Sequence, residues 1–129
     1  MLFFEDIVRA EKIVSKHTVT TPVVQSQALS KAVGERIYLK LENQQITGSF
    51  KIRGAINAIS NLSPAQKKAG VVALSTGNHG RGLAFAANLM KINCIICMSK
   101  LVPNNKIEGI KALGAEVRLI GENLSLIHI

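Results

Sequence analysis

Between residues 71 and 120 short apolar runs alternate with amphipathic stretches, and few architectures accept that rhythm. Val71-Val72-Ala73-Leu74-Ser75 reads as a short apolar strand. Residues 78–90 put Leu83, Ala86, Ala87 and Met90 on the inner side of a helix. Residues 94–98 form a second strand. Residues 104–113 space Ile107, Ile110 and Leu113 by three before Gly114 stops the helix, and residues 116–120 form a third strand. Strands and helices alternating through short links predict an α/β fold, an open, mostly parallel sheet with helices on both faces. Ligands of such sheets bind beyond the carboxyl ends of the strands. At that end of the 71–75 strand stands Ser75-Thr76-Gly77-Asn78-His79-Gly80.

The chain ahead of this alternation is less regular. Residues 4–15 carry Phe4, Ile7, Val8 and Ile13 among charges, a loosely amphipathic helix. Pro22 keeps Thr21 extended. Residues 26–33 read as a short helix, capped by Ser26 and stopped by Gly34. Residues 36–42 alternate, with Ile37, Leu39 and Leu41 on one face and Tyr38, Lys40 and Glu42 on the other, so a strand with one buried face is expected. After a polar turn, Ser49 stands where an N-cap belongs, and residues 50–62 carry Ile52, Ala55, Ile56 and Ile59 at helical spacing. Ser63-Pro64 opens another short helix, which Gly70 ends.

With 129 residues, 47% of them hydrophobic, the chain can bury one modest core. The net charge of +8 suits an anionic partner. The lysines are scattered, without a basic run or interleaved aromatics, which argues against nucleic acid and for a small anionic molecule. Cys94 and Cys97 lie three apart on a strand and so point to opposite faces; they are expected as core thiols, not as a bridge or a metal site. The acidic start at Glu5 and Asp6 does not resemble a secretory leader, and no apolar stretch spans a bilayer, so a soluble cytoplasmic protein with no membrane partner is expected.

Lys51 follows a glycine turn at Gly48 and enters the first turn of its helix, where a cation opposes the helix dipole. Dipole and burial against Phe50 would both favour the neutral, nucleophilic amine. A breach of a local rule is where a functional residue is expected, here a Schiff-base lysine. On these grounds an exposed surface lysine is an equal alternative. The loop from Ser75 to Gly80 follows a strand and opens a helix, so its amides suit a carboxylate or phosphate. An ordinary capped helix start is the plainer alternative. His79 has no carboxylate placed beside it and reads as a structural hydrogen bonder. The glycine spacing matches neither a dinucleotide fingerprint nor a phosphate loop.

In order and spacing, Thr21-Pro22, Tyr38-Leu39-Lys40-Leu41-Glu42, Gly48-Ser49-Phe50-Lys51-Ile52-Arg53-Gly54-Ala55, Ser75-Thr76-Gly77-Asn78-His79-Gly80 and residues 106–117 resemble the N-terminal part of the serine/threonine dehydratases. These are pyridoxal-phosphate enzymes of the tryptophan-synthase-β-like fold, PLP fold type II. The resemblance covers about residues 21–121. It implies that Lys51 is the covalent anchor of pyridoxal 5'-phosphate, that Phe50 packs beside the cofactor and that Asn78 bonds its ring hydroxyl oxygen. It implies that Ser75, Thr76, Gly77, Asn78 and His79 hold the carboxylate of a small amino-acid substrate. The implied reaction removes water from L-threonine or L-serine to give a 2-oxo acid and ammonia. In related racemases a serine at the position of Thr76 is an acid/base, so threonine there points away from racemisation.

The resemblance further implies that residues 1–50 begin a large cofactor domain, that residues 51–121 form a smaller α/β domain carrying the substrate loop, and that the protein is a homodimer. Residues 122–129 depart from the family and read as an atypical, truncated end. The cofactor's phosphate loop, the partner of its ring nitrogen and any metal site are expected beyond residue 129. Gly80-Arg81-Gly82 and residues 97–106 resemble dehydratases of hydroxyectoine utilisation. An inactive fold remnant is the alternative from another class, and a cysteine-synthase-like enzyme ranks last.

Overall fold

The computed structural model describes residues 1–121. Helix α1 (Phe4–Val14) leads into a strand pair, β1 (Val23–Gln25) and β2 (Tyr38–Lys40), with helix α2 (Gln27–Val33) between them. Helices α3 (Lys51–Ser60) and α4 (Pro64–Ala69) follow. The expected alternation then runs as β3 (Val71–Leu74), α5 (Asn78–Leu89), β4 (Cys94–Met98), α6 (Asn104–Lys111) and β5 (Glu116–Leu119). The expected truncated end at 122–129 lies outside the described residues.

Strands β3, β4 and β5 form a parallel sheet in that order, with Val71 opposite Cys94 and Ile95 opposite Glu116. Cys94, Ile96 and Met98 bury one face of β4, while Ile95 and Cys97 on the other face are half-buried. The two thiols therefore point apart, as their spacing requires. Both are free, and burial pushes the Cys94 thiol up.

Strand β2 departs from its expected form. The alternation over residues 36–42 yields only Tyr38–Lys40, and all three residues are exposed. They pair antiparallel with β1, Val24 opposite Leu39, in a two-stranded sheet of their own. An apolar face is buried only when a second layer covers it, and among the described residues none covers Leu39. Glu42–Gln44 instead forms a 3-10 turn that redirects the chain toward α3.

Helix α5 lies at the centre, against α3 on one side and against β3, β4 and α6 on the other. A helix packed on both sides needs small or apolar residues around most of its circumference. Gly80, Gly82, Leu83, Ala84, Ala86 and Ala87 are all buried. A one-sided reading of this helix finds Leu83, Ala86 and Ala87 but misses both glycines and Ala84. Helix α3 supplies Ile52, Ala55, Ile56 and Ile59 to the same core. Each such isoleucine contributes roughly 1.5–3 kcal/mol through burial.

Candidate active site

The approach to Lys51 turns at Gly48, whose φ of +77° favours glycine. The turn closes with the Gly48 amide donating to the Gln45 carbonyl at 2.7 Å. Helix α3 starts at Lys51 and its N-cap position is Phe50, already helical at φ −65° and ψ −14°. Ser49 is therefore not the cap, contrary to expectation. Its hydroxyl and that of Thr47 are buried without a hydrogen-bond partner among the described residues. The chain enters the helix through a turn in which Arg53 N donates to Phe50 O at 3.1 Å, and the regular helix starts at Lys51, one residue later than capping by Ser49 would place it.

Lys51 is exposed and Phe50 is 58% exposed, so the expected burial of the amine against the ring is not present. The lysine Nζ instead stands 5.0 Å from the centroid of the Phe50 ring. A cation–π contact at an exposed site is worth about 0.5–1 kcal/mol. It leaves the amine open to a reactant.

The second predicted stretch is built differently from an ordinary cap. The N-cap position of α5 is Gly77, and neither Thr76 nor Asn78 takes that role. Ser75 supplies the acceptor from further upstream: its Oγ accepts from Gly80 N at 2.9 Å and from Gly77 N at 3.4 Å. Its own amide donates to the Cys97 carbonyl of the neighbouring strand. The amides of Asn78 and His79 head the helix, where no intrahelical acceptor exists and the dipole is positive. Ser75, Thr76 and Gly77 are half-buried, and Asn78 and His79 are exposed. A cavity of about 420 Å³ borders this loop, lined by Thr76, Gly77, Asn78, Arg81 and Lys106 among others.

Packing of α3 on α5 brings the two stretches to one end of the domain. A Cβ on Gly82 would stand 3.1 Å from the carbonyl carbon and oxygen of Lys51 and from Ile52 N. Asn78 lies four residues before Gly82 and therefore one turn nearer the loop on the same face of α5. Asn78 also borders the cavity that Asn105 and Lys106 of α6 line.

Beside Lys51 lies a polar cluster that sequence reading does not assign. Arg53 donates from Nε to Glu42 Oε2 at 2.9 Å and from Nη2 to Glu42 Oε1 at 2.8 Å. The Thr21 hydroxyl donates to Glu42 Oε1 at 2.5 Å, and Lys40 Nζ donates to the Thr21 carbonyl at 2.6 Å. The Arg53 hydrogen bonds hold the Glu42 carboxyl well down, at about 2, with the Thr21 hydroxyl acting the same way against the opposing effect of burial. The available signal was only a basic residue two positions after Lys51 and an acidic residue on the polar face at the end of an expected strand.

These groups fit pyridoxal phosphate: an exposed primary amine for its aldehyde, an amide side chain at the head of the neighbouring helix, and buried hydroxyls at Thr47 and Ser49 without partners among the described residues. Among the described residues no group of three His, Cys, Asp or Glu side chains could hold a metal ion.

Comparison with known proteins agrees. Residues 14–126 match the family model described as pyridoxal-phosphate dependent enzyme. The chain is 46% identical to an L-threonine ammonia-lyase of Thermotoga maritima, over 94% of this chain and 30% of the relative. It superposes on a serine racemase of Dictyostelium discoideum with a TM-score of 0.87 and 35% identity, over 96% of this chain and 40% of the other. A threonine deaminase of Solanum lycopersicum gives 0.86 and 34% identity, over 96% and 34%. The chain thus spans roughly a third of the length of these relatives. Its α/β architecture is that of PLP fold type II, and the chain belongs to the family of pyridoxal-phosphate dependent enzymes.

Proposed function

We propose that the whole protein is a pyridoxal-phosphate dependent dehydratase acting on L-threonine- or L-serine-type amino acids. The observation that carries this reading is the Lys51 amine, exposed at the start of α3 and packed through its backbone against the helix that the Ser75–His79 loop opens. The 46% identity to a threonine ammonia-lyase supports the substrate class.

In this reading Lys51 Nζ would hold the cofactor and, as a free amine, would take the Cα proton of the substrate. The chemistry that the cofactor supplies when bound is a sink for the negative charge left at Cα. Phe50 would pack beside the ring and Asn78 would donate to its hydroxyl oxygen. The free amides of Asn78 and His79, with the Ser75 and Thr76 hydroxyls and Gly77, hold and orient the substrate carboxylate. Loss of the proton and of the β-hydroxyl releases water and an enamine. Hydrolysis of the enamine returns that water and gives a 2-oxo acid and ammonia. Thr76, where racemases carry serine, supports elimination over racemisation.

The same reading divides the chain into residues 1–50, the beginning of the cofactor domain, and 51–121, the smaller domain. It has the enzyme work as a cytoplasmic dimer. No described helix is long and apolar enough to cross a membrane. The motifs around Arg81 and Ser99 support a place among dehydratases of hydroxyectoine utilisation.

The test uses the full-length protein loaded with cofactor. Borohydride capture on Lys51 and 2-oxobutanoate formed from L-threonine are the expected results. Capture on another lysine overturns the site, and absence of turnover with both threonine and serine overturns the substrate class. Turnover of hydroxyectoine-derived amino acids alone selects the subgroup.

A further inference from the structure

Helix α3 has no side-chain cap, yet its first turn must hold Lys51 in one direction if the lysine is to serve two steps. Something other than a cap must therefore fix that turn. On one side it is the backbone of α5 at Gly82. On the other it is Arg53, in the same first turn as Lys51 and joined to Glu42 by two hydrogen bonds. A fork of this kind restrains direction as well as distance.

The pair is anchored in its turn. Thr21, 2% exposed, donates to Glu42 and accepts from Lys40. Arg53 reaches further to the Val19 carbonyl at 3.3 Å and the Thr18 hydroxyl at 3.4 Å. The buried Gln45 side chain binds Val19 in both directions, donating to its carbonyl at 2.5 Å and accepting from its amide at 3.1 Å. Segment 18–21, the 3-10 turn at Glu42 and the first turn of α3 are thus one hydrogen-bonded unit.

We propose that Arg53 and Glu42 are a positioning pair for Lys51, setting the direction of its amine without touching substrate or cofactor. The proposal rests on the reading of Lys51 given above. Misplacement of a reacting group by an ångström can cost about 100-fold in rate, so the pair is expected to act on turnover more than on substrate affinity.

The test compares Arg53→Lys and Glu42→Gln with wild type in the full-length holoprotein. Arg53→Lys keeps the charge and loses the fork; Glu42→Gln keeps the shape and loses the charge. Expected is a fall in kcat of roughly 10- to 100-fold with KM within about twofold. Borohydride capture of cofactor on Lys51 should slow by a similar factor. In the apo protein, amide exchange over residues 54–57, which reports the first-turn carbonyls, should rise roughly tenfold. A lowered melting temperature with unchanged kcat and capture in both variants would show a purely structural role and overturn the proposal. So would failure of Arg53→Lys to fold alongside a kinetically normal Glu42→Gln. Capture on a lysine other than Lys51 in wild type overturns the underlying reading instead, and is seen before either variant is made.

Discussion

Gly82 of α5 faces the carbonyl of Lys51 so closely that a methyl group on it would stand 3.1 Å from that carbonyl's carbon and oxygen. The residue read as the reactive lysine and the helix of the substrate loop are therefore in backbone contact. Any side chain at position 82 presses on the first turn of α3. Replacement by alanine gains helix propensity of about 1 kcal/mol and loses about 1–3 to overpacking. Valine lacks most of the gain and adds bulk. Gly82→Val is expected to lower stability by at least about 2 kcal/mol and Gly82→Ala by less, as denaturant unfolding would show. Equal stability of both variants and wild type would mean that α3 and α5 separate freely.

Lys51→Ala tests the centre of the reading. The side chain is exposed and its amine stands over the Phe50 ring, so the apo protein should melt within a few degrees of wild type. Turnover by the full-length enzyme should fall by at least about 100- to 10,000-fold, the range for losing an acid/base group. Borohydride should then fix no cofactor on the first turn of α3. A variant that turns over at more than a tenth of the wild-type rate is incompatible with Lys51 as anchor and base.

Glu42 makes a pH prediction. Its carboxyl falls from an ordinary 4.5 to about 2 in the folded protein, chiefly because Arg53 donates to the ionised form. A depressed folded pKa means that the unfolded chain binds its proton first as pH falls. The stability that this group contributes is full above about 4.5 and is lost as pH drops toward 2. Glu42→Gln should flatten that part of the stability curve relative to wild type, measured by urea unfolding between these values. A parallel fall in both proteins would assign the acid sensitivity to other groups.

Ser75 holds the loop by accepting the Gly80 amide. Ser75→Ala leaves that amide and the Gly77 amide without their acceptor, at a cost of about 1–2 kcal/mol. KM for the amino acid is expected to rise more than kcat falls, because the loop is proposed to orient the carboxylate. Steady-state kinetics of the full-length enzyme decide this. A change in kcat alone would move Ser75 from binding to chemistry.

Much of the fold was legible in the chain. The β3–α5–β4–α6–β5 order follows from apolar runs and their glycine stops, which are local signals. Ser26 with Gly34, and Ser63 with Pro64 and Gly70, bound their helices as read, because capping and turn chemistry act within a few residues. Residues 36–42 misled because alternation shows which face is apolar, not whether another layer lies over it. Ser49 misled because its place before the helix was right but its buried hydroxyl accepts no first-turn amide and the regular helix starts at Lys51.

The residues of the candidate site were likewise visible one at a time. A lysine after a glycine turn and a polar loop after a strand are properties of short segments, so the sequence alone determined which residues to examine. Tertiary structure decided how they relate. Periodicity reports one buried face of a helix, so it could not show that α5 is buried on two sides, with Gly80 against Ile96 and Ile110 and Gly82 against Lys51. Nor could it show that Glu42, eleven positions before Arg53, turns back to grip it. Long-range pairs of this kind depend on where whole elements come to rest. That placement is fixed by packing across the core rather than by the residues on either side in the chain.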